Sequence, residues 1–156
     1  MNIEFLVVGK PKAGFVAQGV KHYLGHLTGL ASVEVLSVKP EPILKGADQD
    51  RVRGVEAQKL WKRIRGSGLI IALDPSGPEL TSRALAKRLS QWEAGGTNRL
   101  SFIIGGPLGL DQDLVKKADQ ILSLSRMTFS HELCLLMGLE QLYRALSLKA
   151  GRPYAK

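Results

Sequence analysis

The chain has 156 residues, with 22 Lys and Arg against 14 Asp and Glu, and a formal net charge of +8. Its 44% hydrophobic and 23% charged residues exclude a wholly disordered chain, and its length predicts one domain over 1–156 that buries a core unaided. The single cysteine, Cys134, excludes an internal disulfide framework and a cysteine-based zinc site, and fits a reducing, cytoplasmic setting.

Strand and helix signals alternate along the chain. Ile3–Val8 is an apolar run closed by Gly9, Pro11 and Gly14, and reads as a buried strand. Its FLVV core is too short for a signal peptide, and no later run approaches the ~18 apolar residues of a membrane span, so no membrane partner is expected. Phe15, Val20, Tyr23, Leu24 and Leu27 recur at roughly helical spacing. Val33, Val35 and Val38 mark a second strand that stops at Pro40 and Pro42. A loop of unusual composition covers 39–47, and a helix over 48–65 follows, with Asp48 or Asp50 near its start and Gly66 beyond its end.

Leu69–Leu73 predicts a third strand ending in the turn Asp74-Pro75-Ser76-Gly77. Thr81 or Ser82 caps a helix with Leu85, Leu89 and Trp92 on one face and Gly95 as its stop. Leu100–Ile104 is the fourth strand, followed by Gly105-Gly106-Pro107-Leu108-Gly109. Asp111 opens a helix to about Ala118, and Ile121–Leu124 is a short fifth strand. Ser130 caps a last long helix with Leu133, Leu136, Met137, Leu139, Leu142, Tyr143 and Leu146 on its apolar side. Apolar strands separated by helices predict an α/β fold, with a parallel sheet covered on both faces.

Ligands of such sheets bind beyond the carboxyl ends of the strands. Three of those ends are distinctive here: Ala-Leu73-Asp-Pro-Ser-Gly, Ile-Ile-Gly105-Gly-Pro-Leu-Gly, and the stretch Leu122–His131. A Gly-Gly pair lets a ligand reach the backbone with no Cβ in the way; a tight βα turn is the other reading of the same residues. GGPLG is not a dinucleotide fingerprint, and no acidic residue closes the second strand, so neither NAD nor a flavodoxin-like phosphate site is expected. His22 and His26 stand four apart on the first helix, but with no clear third ligand they read as a solvated face, and no metal is expected. Two tracts concentrate the basic charge. Residues 51–65 hold Arg51, Arg53, Lys59, Lys62, Arg63 and Arg65 against Glu56 alone, and 144–156 hold Arg144, Lys149, Arg152 and Lys156 with no acid. Cations so placed neutralise nucleic-acid phosphates, and Trp61 within the first tract is expected in the core.

The segments IIGGPLGL, SLSRMTFSHELC and GLEQLYRALSLKAGRPY, with FLVVGK and ALDPSG, resemble the ribosomal RNA large subunit methyltransferase H family of the SPOUT superfamily. The resemblance spans the chain. It implies a parallel-sheet SPOUT-type fold with a C-terminal trefoil knot, a homodimer, and S-adenosylmethionine (S-adenosyl-L-methionine) as cofactor. It implies methylation of N3 of a pseudouridine in the helix 69 loop of large-subunit (23S) ribosomal RNA, within an assembled ribosome. By the same resemblance the cofactor is held by Leu73, Gly105, Leu124, Ser125, Arg126, Met127, Thr128 and Phe129, and His131 and Tyr154 are the catalytic candidates; the acid-free C-terminal tract makes Arg144, Arg152 and Lys156 the expected RNA contacts. The chain departs from the family at two places. The tail reads Arg152-Pro153-Tyr154-Ala155-Lys156, where the family has a His-Pro-Tyr-His-basic motif, and Leu135 stands where it has an arginine. The altered tail leaves open an alternative, a non-catalytic RNA- or ribosome-binding protein on the same scaffold.

Overall fold

The computed structural model describes residues 1–155. Five strands, β1 (Asn2–Val8), β2 (Ser32–Val38), β3 (Leu69–Leu73), β4 (Arg99–Ile104) and β5 (Gln120–Leu122), form one sheet in the order β2-β1-β4-β3-β5. Every pairing is parallel. The helices are α1 (Gly14–Leu27), α2 (Gln49–Trp61), α3 (Ser82–Ala94), α4 (Gln112–Lys117) and α5 (His131–Lys149), and a 3-10 turn spans Pro153–Ala155.

The pleat sends alternate residues of β1 to two cores. Ile3, Phe5 and Val7 pack with Leu27 of α1, Leu89 of α3 and Leu135, Leu139 and Leu142 of α5. Leu6 and Val8 pack with Ala57 and Leu60 of α2 and Leu114 and Val115 of α4. The connections that step leftward in the strand order, β1 to β2 and β3 to β4, carry α1 and α3 on one face. Those that step rightward, β2 to β3 and β4 to β5, carry α2 and α4 on the other, as right-handed crossovers require. α5 returns to the first face and lies against both α1 and α3.

One polar residue interrupts the apolar interior. Glu4 is fully buried on the α2 side of β1. Its carboxylate accepts hydrogen bonds from the Ser101 hydroxyl at 2.6 Å and the Arg65 backbone N–H at 3.3 Å, with the Arg99 guanidinium at 3.5 Å. A buried carboxylate is tolerable only when paired in this way.

The same contact explains why α2 stops at Trp61 rather than at 65. Beyond Leu60 the turn tightens, Arg63 N–H bonding Leu60 O and Ile64 N–H bonding Trp61 O, and Arg65 N–H is claimed by Glu4. With the helix ended, Trp61 is 42% exposed instead of core. β5 also ends early, at Leu122 rather than 124. It pairs only with β3, and past that strand the Ser123 N–H bonds Pro78 O as the chain turns away. On α5, Leu133, Leu136 and Met137 are only half-buried, whereas Leu135 is in the core. A helix lying in the groove between two others buries the stripe Leu135, Leu139, Leu142 and Leu146, and Leu136 instead fills the gap left by Gly19 of α1. Arginine has no room at 135 without burying its charge.

Among the described residues no helix is long and apolar enough to cross a membrane. Among them, too, the Ser147 hydroxyl on α5 is buried with no hydrogen-bond partner. Ser147→Ala should therefore hold or raise stability, by up to about 1 kcal/mol, while Leu139→Ala should cost about 2–5 kcal/mol. Urea unfolding of the three proteins measures both.

Candidate functional site

Three segments leave the carboxyl ends of β3, β4 and β5 and converge: 74–80, 105–110 and 123–130. The cleft between them holds about 680 Å³ of empty space, open solvent at its mouth included. Its walls include Leu73, Gly105, Leu124, Ser125, Met127, Thr128, Phe129 and His131. So eight of the residues singled out in the sequence lie around one space. Leu73, Ser123 and Leu124 also border a second, apolar pocket that runs past Phe5, Phe102 and Gly138 beneath α5.

The segments meet because backbone replaces side chain at the contacts. A Cβ on Gly77 would lie 2.7 Å from the Leu122 backbone nitrogen, and one on Gly105 would lie 2.5 Å from the Gly109 backbone carbon. The glycine at 105 is thus demanded by the turn folding onto itself, not by an approaching ligand. The carboxyl of Glu56, a buried residue of α2, stands 2.9 Å from where a Cβ on Gly106 would be. The same carboxyl accepts the Glu41 N–H at 2.9 Å, and Arg53 donates to Leu108 O at 3.4 Å. α2 therefore supports the 105–110 turn from beneath. In the sequence Glu56 is only a lone acid in a basic tract, because nothing local marks a residue that meets a turn fifty positions on.

The wall also holds groups that were not singled out. Asp74 is the only carboxylate among the described residues that line the cleft; it accepts from the Ser76 N–H at 2.9 Å and the Ser76 hydroxyl at 2.6 Å. Cys134 lies on the same wall, and burial pushes its thiol pKa up from the usual value. Ser123 donates to Ser125 O at 2.9 Å and the Ser125 hydroxyl accepts the Met127 N–H at 3.0 Å, so the 123–129 loop is braced internally. Met127 itself is 73% exposed at the mouth.

His131 is the first residue of α5, after the cap Ser130, whose hydroxyl accepts the Leu133 N–H at 3.3 Å. The next residue, Glu132, reaches across to the loop before α1. Its two carboxylate oxygens accept the Lys12 and Ala13 backbone N–H groups, each at 3.1 Å. These two bonds hold its carboxyl below the ordinary carboxylate pKa. The contact is thus complete above that ordinary value and is lost only on acidification below it.

Other candidates lie elsewhere. Arg126 is exposed and is not part of the cleft wall. Tyr154 sits on the far part of α5, its ring 4.4 Å from that of Tyr143, its hydroxyl 3.4 Å from the Glu140 carboxylate and the Arg144 guanidinium 5.1 Å from its ring centre. Glu140 is nine residues from His131, about 13 Å along the helix. Within one chain Tyr154 therefore does not reach the cleft. The neighbouring Tyr23 hydroxyl, followed by burial, pushes its phenol up to about 12, so it stays protonated at neutral pH. Arg144 is ion-paired to Glu140 at 2.6 Å, which raises its pKa further, and Arg152 is exposed. Lys156 lies outside the described residues. In the α2 tract Arg53 pairs with Asp50, Lys59 with Glu41 at 2.8 Å and Arg65 with Glu34 at 2.9 Å, so half of its cations are engaged within the protein. His22 and His26 lie edge to face at 4.4 Å on exposed α1, and among the described residues no group of three or more His, Cys, Asp or Glu gathers as a metal site.

A family model described as predicted SPOUT methyltransferase matches residues 1–155. Proteins named ribosomal RNA large subunit methyltransferase H are similar over the full length of both chains: that of Desulfotalea psychrophila is 40% identical and that of Halothermothrix orenii 38%, each with 100% of both chains covered. Among solved structures, a probable methylase family protein from Haemophilus influenzae aligns with a TM-score of 0.58 at 12% identity, over 99% of this chain and 70% of that one. A probable methyltransferase from Bordetella pertussis aligns at 0.57 and 13% identity, over 93% and 96%. These two likenesses establish the fold.

Gly105→Ala should displace the turn against Gly109 and lower stability by about 1–3 kcal/mol, read by urea unfolding. At Cys134 the raised thiol pKa predicts slow alkylation at neutral pH that accelerates as pH rises past the free-cysteine value, measured by iodoacetamide labelling against pH.

Proposed function

The chain belongs to the SPOUT methyltransferase family, and from that premise we propose that it methylates large-subunit ribosomal RNA with S-adenosylmethionine, at N3 of a pseudouridine in the helix 69 loop. The observation that carries this reading is the cleft: three strand-end segments, matched along the whole chain by relatives named for ribosomal RNA methylation, enclose one space beside His131.

The residues present fit the cofactor. Leu73, Leu124, Met127 and Phe129 offer apolar walls for an adenosine, and the backbone of the cleft-lining stretches 105–107 and 123–129 offers hydrogen bonds to a base edge. No phosphate-binding loop is needed, since this cofactor carries no phosphate. Asp74 offers a carboxylate to its cationic part. When bound, S-adenosylmethionine supplies an electrophilic methyl group. The protein's contribution is orientation of the target ring nitrogen for in-line approach and removal of the proton that nitrogen loses. His131, at the cleft wall, is the group we assign to receive that proton.

Tyr154 joins this reading through a homodimer, in which the tail of a second copy meets the cleft that its own chain cannot reach. The half-exposed face of α1 and α5, with Phe15 66% exposed and Leu136 only half-buried, supports such a pairing. A C-terminal trefoil knot also belongs to the proposal; it is supported by the wrapping of 74–80 around 121–123, where the Asp74 N–H bonds Leu122 O and the Ser123 N–H bonds Pro78 O. The setting proposed is the cytoplasm, with the ribosome as the substrate particle.

The test is methyl transfer from labelled S-adenosylmethionine to ribosomes that lack the modification, followed by mass analysis of the labelled nucleoside. We expect N3-methylpseudouridine, and we expect S-adenosylmethionine to protect Cys134 from alkylation. No cofactor binding at millimolar concentration by calorimetry would overturn the reading; ribosome binding without methyl transfer would favour the non-catalytic alternative.

A further inference from the structure

The loop 9–13 is fastened at both ends to the walls of the cleft. At its start, Val8 closes β1 beside Gly106: a Cβ there would stand 3.2 Å from Val8 Cγ1. At its end, Glu132 takes the Lys12 and Ala13 N–H groups at 3.1 Å each, and Glu132 directly follows His131 of the wall. Ala13, the cap residue of α1, makes no side-chain cap bond of its own. The Glu132 carboxylate instead brings its charge from another helix to the two N–H groups just before this helix start, where negative charge is favourable.

What the fastened loop carries is positive charge. Lys10 and Lys12 are both exposed, and so is Arg126 in the 123–130 segment that borders the cleft. Among the described residues none of these three forms an ion pair, in contrast to Arg53, Lys59, Arg65, Arg144 and Lys149. Glu132 is spent on backbone N–H groups rather than on the Lys12 ammonium. A cation left unpaired on a loop whose backbone is held beside the cleft wall is suited to an anion brought by the ligand.

We propose that Lys10 and Lys12, together with Arg126, form the phosphate-contacting rim that seats the substrate RNA strand over the cleft, and that Glu132 is the positioning residue that holds this rim in register with His131. The proposal rests on the RNA methyltransferase reading above and deepens it by naming the RNA contact. It moves the main RNA contact from the α2 tract, where half the cations are paired internally and the chain runs away to the amino edge of the sheet, to the carboxyl edge. Phosphate contacts position a nucleic acid without reading its sequence, which is the task the rim performs here.

The experiment compares full-length wild type, Lys10→Gln/Lys12→Gln, Glu132→Gln, Glu132→Asp and a control, Lys87→Gln on exposed α3. Each is assayed for S-adenosylmethionine affinity by calorimetry and for kcat and KM on unmodified ribosomes over a salt series. For the double lysine variant we expect KM for ribosomes raised about 10- to 100-fold and the log–log salt slope reduced by about two, one for each lost phosphate contact, with cofactor affinity unchanged. Glu132→Gln should raise KM in the same direction by a smaller factor at nearly constant kcat. Glu132→Asp, which keeps a carboxylate, should recover part of that loss, and Lys87→Gln should match wild type. Unchanged KM and salt slope in the double variant would overturn the rim while leaving the methyltransferase reading intact. Lost cofactor affinity in that variant would assign the lysines to the cofactor and also overturn it. A wild type that neither binds S-adenosylmethionine nor methylates ribosomes would overturn both.

Discussion

At the carboxyl edge of the sheet, main chain meets main chain at distances a Cβ would forbid, and the site depends on that contact. Gly77 lies against the Leu122 backbone and Gly105 against Gly109. Without side chains to hold them apart, the segments leaving β3, β4 and β5 come close enough to share one wall. The order β2-β1-β4-β3-β5 makes this possible, because it sets the ends of β4, β3 and β5 side by side.

The cleft that results is lined by backbone and apolar side chains more than by charge, with Asp74 and His131 at its wall. Its rigidity comes from bonds both behind the wall and within it. Glu56 and Arg53 of α2 support one turn, Ser123 and Ser125 brace the second loop, and Glu132 of α5 ties down a third. Each support is a polar group satisfied by backbone, and those from Glu56, Arg53 and Glu132 connect elements far apart in sequence. The two residues proposed for catalysis are not brought together within a single chain, since Tyr154 is held near Glu140, away from His131.

The net charge of +8 acquires a geography in the fold. Much of the basic charge counted along α2 and near the tail is held by Asp50, Glu41, Glu34, Glu140 and Glu93. Exposed ion pairs add little stability, but each one removes a cation from any role with a ligand. What remains unpaired includes Lys10, Lys12 and Arg126, on loops at the edge where the cleft opens.

The amino-acid sequence by itself determined the alternation of strand and helix, the caps at Asp111 and Ser130, the choice of Asp48 or Asp50 and of Thr81 or Ser82 for two more, and the strand ends that border the cleft. These are legible because apolar periodicity and capping act within a few residues. It also carried the family resemblance, since the strand-end and C-terminal motifs are contiguous. Tertiary structure alone decided the strand order, the exposure of Trp61, the burial of Leu135 and the bracing by Glu56 and Glu132. Each of these hangs on a partner distant along the chain: Glu4 is buried beneath Arg65, α5 lies between α1 and α3, and Glu132 reaches Lys12 across 120 positions. Local propensity constrains none of those pairings, because the burial and hydrogen bonds that select them exist only once the sheet has assembled.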